Sequence, residues 1–160
     1  MPRSPHVRTP GHHPMRAPEN IGLLLSLASA RGVASANVAL GPVELNSRSY
    51  SLLEQLAGTD GVSQRALADA IRLDPSQIVA MIDGLERRGL AERRPNPADR
   101  RQKSVVITGP GRTLFHRARA LVESSVDEVL AGLDDLERET LRGLLQRIVR
   151  HDAARLENAS

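Results

Sequence analysis

The sequence predicts a mainly α-helical chain with one small β-hairpin, and three observations carry that reading. Its 160 residues include one Tyr, one Phe and no Trp. A core must therefore be built from Leu, Ile, Val and Ala, which favours helix packed on helix over sheets that draw on aromatic and β-branched side chains. Apolar residues recur at i, i+3 and i+4 along much of the chain, the helical period. Only residues 90–94 and 103–107 read as strands, and the loop between them, 95–101, is rich in Pro, Asn and Asp. The length suits about one domain.

The elements follow in order. Residues 1–17 hold four prolines, three histidines and no acid; with little to bury, they read as a disordered tail. A Leu- and Ala-rich helix spans 18–40, opened near Pro18 and stopped by Gly41-Pro42. A second helix, 43–57, turns Leu45, Tyr50, Leu52, Leu53 and Leu56 inward, and residues 58–61 form a turn. Ser63 caps a short helix, 64–71, in which Leu67 and Ile71 are spaced i, i+4. After the turn 72–74, Asp74-Pro75-Ser76-Gln77 supplies an N-cap, a first-position proline and a Gln placed to close a capping box. The helix 75–88 carries the stripe Ile78, Ile82 and Leu85, with Val79 beside it, and ends at Gly89. Beyond the hairpin, Thr108-Gly109-Pro110 opens a helix to about 131, with Leu114, Ala118, Leu121, Val122, Val126 and Val129 along it. Asp134 to Glu137 form a capping box for a last helix striped by Leu141, Leu144, Leu145 and Ile148.

Several function classes fall away. With no Cys, disulfide scaffolds, thiolate nucleophiles, thiol redox sensing and Cys-based zinc sites are excluded. There is no phosphate-binding Gly-rich loop, nucleophile elbow or His-rich metal motif. Asp134, Asp135 and Glu137 are explained by helix capping, and Ser124-Ser125 has no base beside it. His6, His12, His13, His116 and His151 lack convergent partners. The chain reads as a non-enzyme with no cofactor and no metal. Arg3, Arg8 and Arg16 ahead of the apolar run 21–30, which ends in Ala28-Ser29-Ala30, resemble a secretory signal. Glu19, the crowded prolines and the shortness of the run oppose that reading. No stretch is read as approaching the ~20 apolar residues of a membrane span, so a cytoplasmic chain without a membrane partner is expected.

Two short helices joined by a tight turn form a helix-turn-helix, and a hairpin directly after it is a wing. With Ile78, Ile82 and Leu85 facing the core, Ser76, Gln77, Ala80, Met81 and Gly84 face outward. These are small or hydrogen-bonding residues near the end of a recognition helix that meets base edges: Gln pairs with adenine, and Ala or Met touches a thymine methyl. Of the 22 basic residues all but Lys103 are Arg, whose fork bonds phosphates and bases bidentately. Between residues 87 and 103, Arg87, Arg88, Arg93, Arg94, Arg100, Arg101 and Lys103 stand against Glu92 and Asp99. That net of +5 exceeds the +3 of the whole chain, an electrostatic footprint for a polyanion. Arginine at a hairpin tip suits the narrow minor groove of DNA. The tail arginines Arg3, Arg8 and Arg16 are candidates for a further basic arm.

Leu67-Ala68, the run Ile82-Asp83-Gly84-Leu85-Glu86-Arg87-Arg88-Gly89-Leu90, Arg93 with Asp99-Arg100-Arg101, and Ile107-Thr108-Gly109-Pro110-Gly111 occur here in a telling order. Over residues 63–112, and more loosely 20–150, the chain resembles the MarR family of winged helix-turn-helix transcriptional regulators. The resemblance implies a homodimer whose first and last helices interlock, with residues 18–44 and 109–155 as the dimerisation region and 45–108 as the DNA-binding domain. It implies that Asp99 braces Arg101, which enters the minor groove. It also implies a repressor released by a small-molecule effector held between the dimer region and the DNA-binding lobes. Without Cys, the thiol-oxidation branch of the family is excluded, and Tyr50 and Phe115 read as packing residues rather than as pocket aromatics. The expected partners are double-stranded DNA, a second copy of the chain and a small effector. The alternative is a dimeric winged-helix protein-interaction module.

Overall fold

A computed structural model describes residues 19–96 and 103–157, with side chains to Arg150. The expected tail, 1–17, and the wing-tip residues Asp99, Arg100 and Arg101 lie outside the described residues.

The chain runs α1 (Ile21–Leu40), a 3-10 turn (Gly41–Val43), α2 (Ser47–Ala57), β1 (Val62–Ser63), α3 (Gln64–Ile71), α4 (Pro75–Arg87), β2 (Ala91–Pro95), β3 (Lys103–Ile107), α5 (Gly109–Val129) and α6 (Asp135–Glu157). It is a mainly helical winged helix-turn-helix. Its small sheet has three antiparallel strands in the order β1-β3-β2, with Val62 and Arg93 flanking Val105. β1 is absent from the sequence reading because two residues carry no periodicity; pairing with β3 alone defines it.

Local chemistry sets the ends of the elements, and several differ from expectation. α1 starts at Ile21 rather than at Pro18, because the Asn20 side chain accepts the Leu23 amide at 3.1 Å. α2 starts at Ser47 rather than residue 43. Asn46 and Ser49 cap each other reciprocally, and Glu44, at φ 54°, is left-handed and cannot continue a helix. The capping box expected at Asp74 does not form: the Gln77 amide bonds the Asp74 carbonyl at 2.9 Å, which leaves the carboxylate without a cap bond. The Ser63 cap and the Asp134–Glu137 capping box form as read, the latter with bonds of 2.8 and 2.9 Å. Gly89 follows α4 at φ +67°, the left-handed position at which a side chain is disfavoured.

The core sits where α2, α3, α4 and the root of α5 meet the sheet. Leu40, Leu52, Leu53, Leu56, Leu67, Ile78, Ile82 and Val105 are fully buried, each side chain contributing about 1.5–3 kcal/mol by leaving water. Tyr50 and Phe115 stack at 5.8 Å between α2 and α5, a packing role. Val79, expected beside the buried stripe, is 41% exposed, because position 79 lies about 100° around the helix from Ile78.

The C-terminal half of α1 packs on α5, where the Ser35 hydroxyl donates to the Ser125 carbonyl at 3.2 Å. The N-terminal half of α1 and most of α6 have no such cover. Leu23, Leu24, Leu27, Leu144, Leu145 and Ile148 are all at least 42% exposed. The stretch Ile21–Val43 is also long and apolar enough to cross a membrane by length and composition, which corrects the expectation that no stretch approaches that limit; Arg31 is its one charged residue.

Candidate nucleic-acid interface

The recognition helix α4 is anchored by Ile78, Ile82 and Leu85, which are buried. That registration fixes the opposite face. Ser76, Gln77 and Ala80 are exposed, while Met81 and Gly84 are half-buried. A groove, about 580 Å³, runs between α4 and the start of α2 and includes Gln77, Ala80, Met81, Gly84, Arg48 and Arg87. Asn46 and Ser49 of α2 complete its wall. The sequence reading missed this contribution from α2. No local motif marks Arg48, and only the packing of α2 against α4 brings it to the reading face.

The basic residues sort into two groups by what they touch. Arg93, expected among the DNA contacts, is turned inward, and its side chain is 17% exposed. Its guanidinium pairs with Asp83 at 2.7 Å and with Glu86, and donates to the Gln64 side chain at 3.0 Å. Its backbone N–H donates to the Glu86 carboxylate at 2.8 Å. A charge this far from water is held by its partners, so Arg93 braces the wing strand β2 against α3 and α4. Those ion pairs weigh against the DNA contact expected of Arg93. Arg88 is also committed, donating to the carbonyls of Glu44 at 2.6 Å and Val43 at 3.2 Å. It ties the end of α4 to the turn that follows α1. Arg94 pairs with Glu92 on the exposed side of the wing.

The second group comprises Arg48, Arg65, Arg87 and Lys103. These are exposed, and none has an ionic partner among the described residues. Arg48 and Arg87 line the groove itself, and unpaired cations there are the chemistry that neutralises backbone phosphates. No group of His, Asp or Glu able to hold a metal occurs among the described residues.

On this geometry the comparisons with known proteins are decisive. A transcriptional regulator of the MarR family from Rhodococcus sp. RHA1 superposes with a TM-score of 0.75 at 39% identity, over 80% of this chain and 92% of that one. Residues 45–103 match the MarR family profile. The chain belongs to the MarR family. CouR from Rhodococcus jostii RHA1, solved bound to p-coumaroyl-CoA, is 40% identical and superposes with a TM-score of 0.73, over 81% of this chain and 92% of CouR. A putative transcriptional regulatory protein for the hcr operon of Thauera aromatica is 39% identical over 65% of this chain, and the match spans 63% of that protein's length. This MarR-family chain is thus a DNA-binding transcriptional regulator, and its relatives are regulators rather than enzymes. The family profile covers the helix-turn-helix and the wing as far as the first residue of β3.

Proposed function

We propose that this MarR-family regulator is a cytoplasmic homodimeric repressor of a pseudo-palindromic operator, released by a small hydroxylated aromatic acid or its thioester. The observation that carries the DNA-reading part is the groove of α4, where Gln77, Ala80, Met81 and Gly84 lie beside the unpaired Arg48 and Arg87. Ser76 and Gln77 meet base edges, Arg87 and Lys103 meet phosphates, and Arg100 and Arg101, the latter braced by Asp99, serve the wing tip. Arg93 positions the wing and leaves the contact set. Residues 45–108 form the DNA-binding domain, with 18–44 and 109–155 as the dimerisation region.

The exposed leucines of α1 and α6 support the dimer. A second copy laid against both helices would cover Leu23, Leu24, Leu27, Leu144, Leu145 and Ile148, an apolar expanse that a soluble monomer does not leave in water. Two-fold symmetry then places two recognition helices about 34–36 Å apart, one turn of DNA. The effector class rests on CouR, whose structure holds p-coumaroyl-CoA. An effector releases DNA only by preferring a dimer whose lobes are wrongly spaced for the operator.

The test is selection of bound duplexes from a genomic pool, followed by titration of the winner against salt. A two-fold-symmetric consensus with a steep salt slope is expected. Arg101→Ala is expected to weaken binding to all duplexes, whereas Gln77→Ala costs about 1–3 kcal/mol at one base position. No enrichment, with affinity indifferent to salt, would overturn this reading in favour of a protein-interaction module.

A further inference from the structure

The chain passes between the proposed dimerisation region and the DNA-binding lobe twice, once after α1 and once at the head of α5. Three consecutive residues, Arg88, Gly89 and Leu90, bond to both crossings. The Arg88 guanidinium donates to the carbonyls of Glu44 at 2.6 Å and Val43 at 3.2 Å. The Gly89 carbonyl accepts from the Thr108 hydroxyl at 2.7 Å, and the Leu90 carbonyl accepts from the Thr108 amide at 3.1 Å. These residues join the recognition helix α4 to the wing strand β2, so whatever fastens them fastens both DNA-reading elements.

Both crossings are fixed corners. At the first, Glu44 is left-handed at φ 54°, a conformation disfavoured for a residue with a side chain and held by its surroundings. Its amide donates to the Gly41 carbonyl at 2.9 Å, and the Leu45 amide donates to the Leu40 carbonyl at 3.2 Å. The Ser47 amide, opening α2, donates to the Asn37 side chain of α1 at 2.7 Å. At the second, Gly111 lies against the Leu90 carbonyl with no room for a Cβ. Behind the two corners α1 packs on α5. The end of α4 is clasped to the first corner by one side chain, Arg88. The Glu44 carboxylate, 3.7 Å from that guanidinium and 87% exposed, adds little to the hold.

Small rotations at this clasp are large at the DNA. Gln77 precedes Arg88 by eleven residues, about 16 Å along the axis of α4. A tilt of the lobe by about 12° about Arg88 therefore carries Gln77 by about 3.4 Å, one base-pair step.

We propose that the Arg88 clasp sets the spacing of operator half-sites that the dimer accepts. Arg88 is a positioning residue: its guanidinium fixes the lobe on the end of α1 and takes no part in phosphate binding. The inference rests on the homodimer and operator reading above and assigns a residue to the spacing of its lobes.

The experiment uses the full-length chain and three kinds of duplex: the selected operator, the same operator with one base pair added or removed between its half-sites, and a single half-site. One added base pair displaces a half-site by about 3.4 Å and turns it by about 34–36°, so the wild type is expected to prefer the selected spacing by at least about tenfold. Arg88→Gln is expected to bring that preference down to about threefold or less. If about one lobe arrangement in ten then matches the selected operator, affinity for it falls by about tenfold. Arg88→Lys keeps the charge but lacks the fork that spans two carbonyls, and is expected to behave like Arg88→Gln. Half-site affinity and the salt slope are expected to stay at their wild-type values in both variants, whereas loss of a phosphate contact would make the slope shallower by about 0.9. Glu44→Gln, which keeps the carbonyl, is expected to preserve the spacing preference. A preference unchanged in Arg88→Gln or Arg88→Lys, or lost in Glu44→Gln, overturns the proposal while leaving the DNA reading intact. So does a half-site affinity that falls along with the full-site affinity, since Arg88 would then support the lobe itself, and so does a shallower salt slope. A wild type that binds every spacing equally also overturns it. A wild type that selects no operator fails the underlying reading.

Discussion

The first turn of α5 crosses the root of the wing with no space for a side chain, and replacing Gly111 with Ala tests how tightly that joint is set. A Cβ at position 111 would lie 2.0 Å from the Leu90 carbonyl oxygen and 2.9 Å from the Ile107 Cγ1. Even the closest contact that real Cβ atoms show, 3.0 Å, requires the turn to retreat by about 1 Å. That retreat breaks the bond from the Thr108 amide to the Leu90 carbonyl, 3.1 Å long, and strains the one from the Thr108 hydroxyl to the Gly89 carbonyl, 2.7 Å long. Losing one such bond costs about 0.5–1.5 kcal/mol and the overpacking about 1–3, offset by about 1 kcal/mol from the better helix propensity of Ala. The net is a destabilisation of about 0.5–3.5 kcal/mol. At about 2–4 °C per kcal/mol for a chain of this size, the midpoint falls by about 1–14 °C. The assay is thermal unfolding followed by circular dichroism at fixed protein concentration, since the dimer proposed above would make the midpoint depend on concentration. Operator affinity is measured in parallel, because Leu90 leads directly into β2. A variant as stable as the wild type within about 0.5 kcal/mol would refute the close-approach argument, since that is the size of an ordinary surface change.

Other glycines and contacts give contrasting expectations. Gly84→Ala meets only the far end of the Arg87 side chain, at 3.9 Å. It is expected to stabilise the fold by about 0.5–1 kcal/mol while weakening the operator, because the added methyl enters the groove; unfolding and operator titration on one preparation separate the two effects. Ile148→Asp, on the exposed stripe of α6, is expected to shift the chain from dimer to monomer by light scattering and to abolish two-fold operator binding. Arg93→Gln leaves Asp83 and Glu86 without their cation. The expected outcome is a loss of about 2–3 kcal/mol, less than for a fully buried pair because both acids keep access to water, together with faster amide exchange in β2. Burial first, and then the neighbouring Glu54 carboxylate, pushes the Tyr50 hydroxyl up to about 12. The unfolded chain ionises at the ordinary value of 10 and the folded chain later, so stability is expected to fall as pH rises from about 10 to 12. As the single Tyr in the chain, it reports directly in a phenolate absorbance titration, and Glu54→Gln should bring its midpoint down only part of the way.

The local half of this protein was legible from its residues. A poverty of aromatics dictated a helical core, the stripe Ile78/Ile82/Leu85 gave the orientation of the recognition helix, and the caps at Ser63, Thr108 and Asp134 placed three helix starts. Each of these signals lies within a few residues of what it specifies, as helix periodicity and capping do. The family resemblance was legible for the same reason, since its residues fall in one stretch around the helix-turn-helix and wing. Start positions failed where two caps competed, as at Pro18 against Asn20 and at residue 43 against Asn46.

What the tertiary structure decided was which charges are free. In the sequence Arg48, Arg87, Arg88 and Arg93 are equivalent cations. Packing buries Arg93 between two acids, spends Arg88 on the carbonyls after α1, and leaves Arg48 and Arg87 open on the reading groove. Whether a guanidinium is neutralised depends on which acids and carbonyls the fold brings within about 3 Å, and these come from the turn after α1, from α3 and from α4. Sequence alone determined that a positive, helix-led surface exists; the three-dimensional arrangement determined which of its residues have charge left to give.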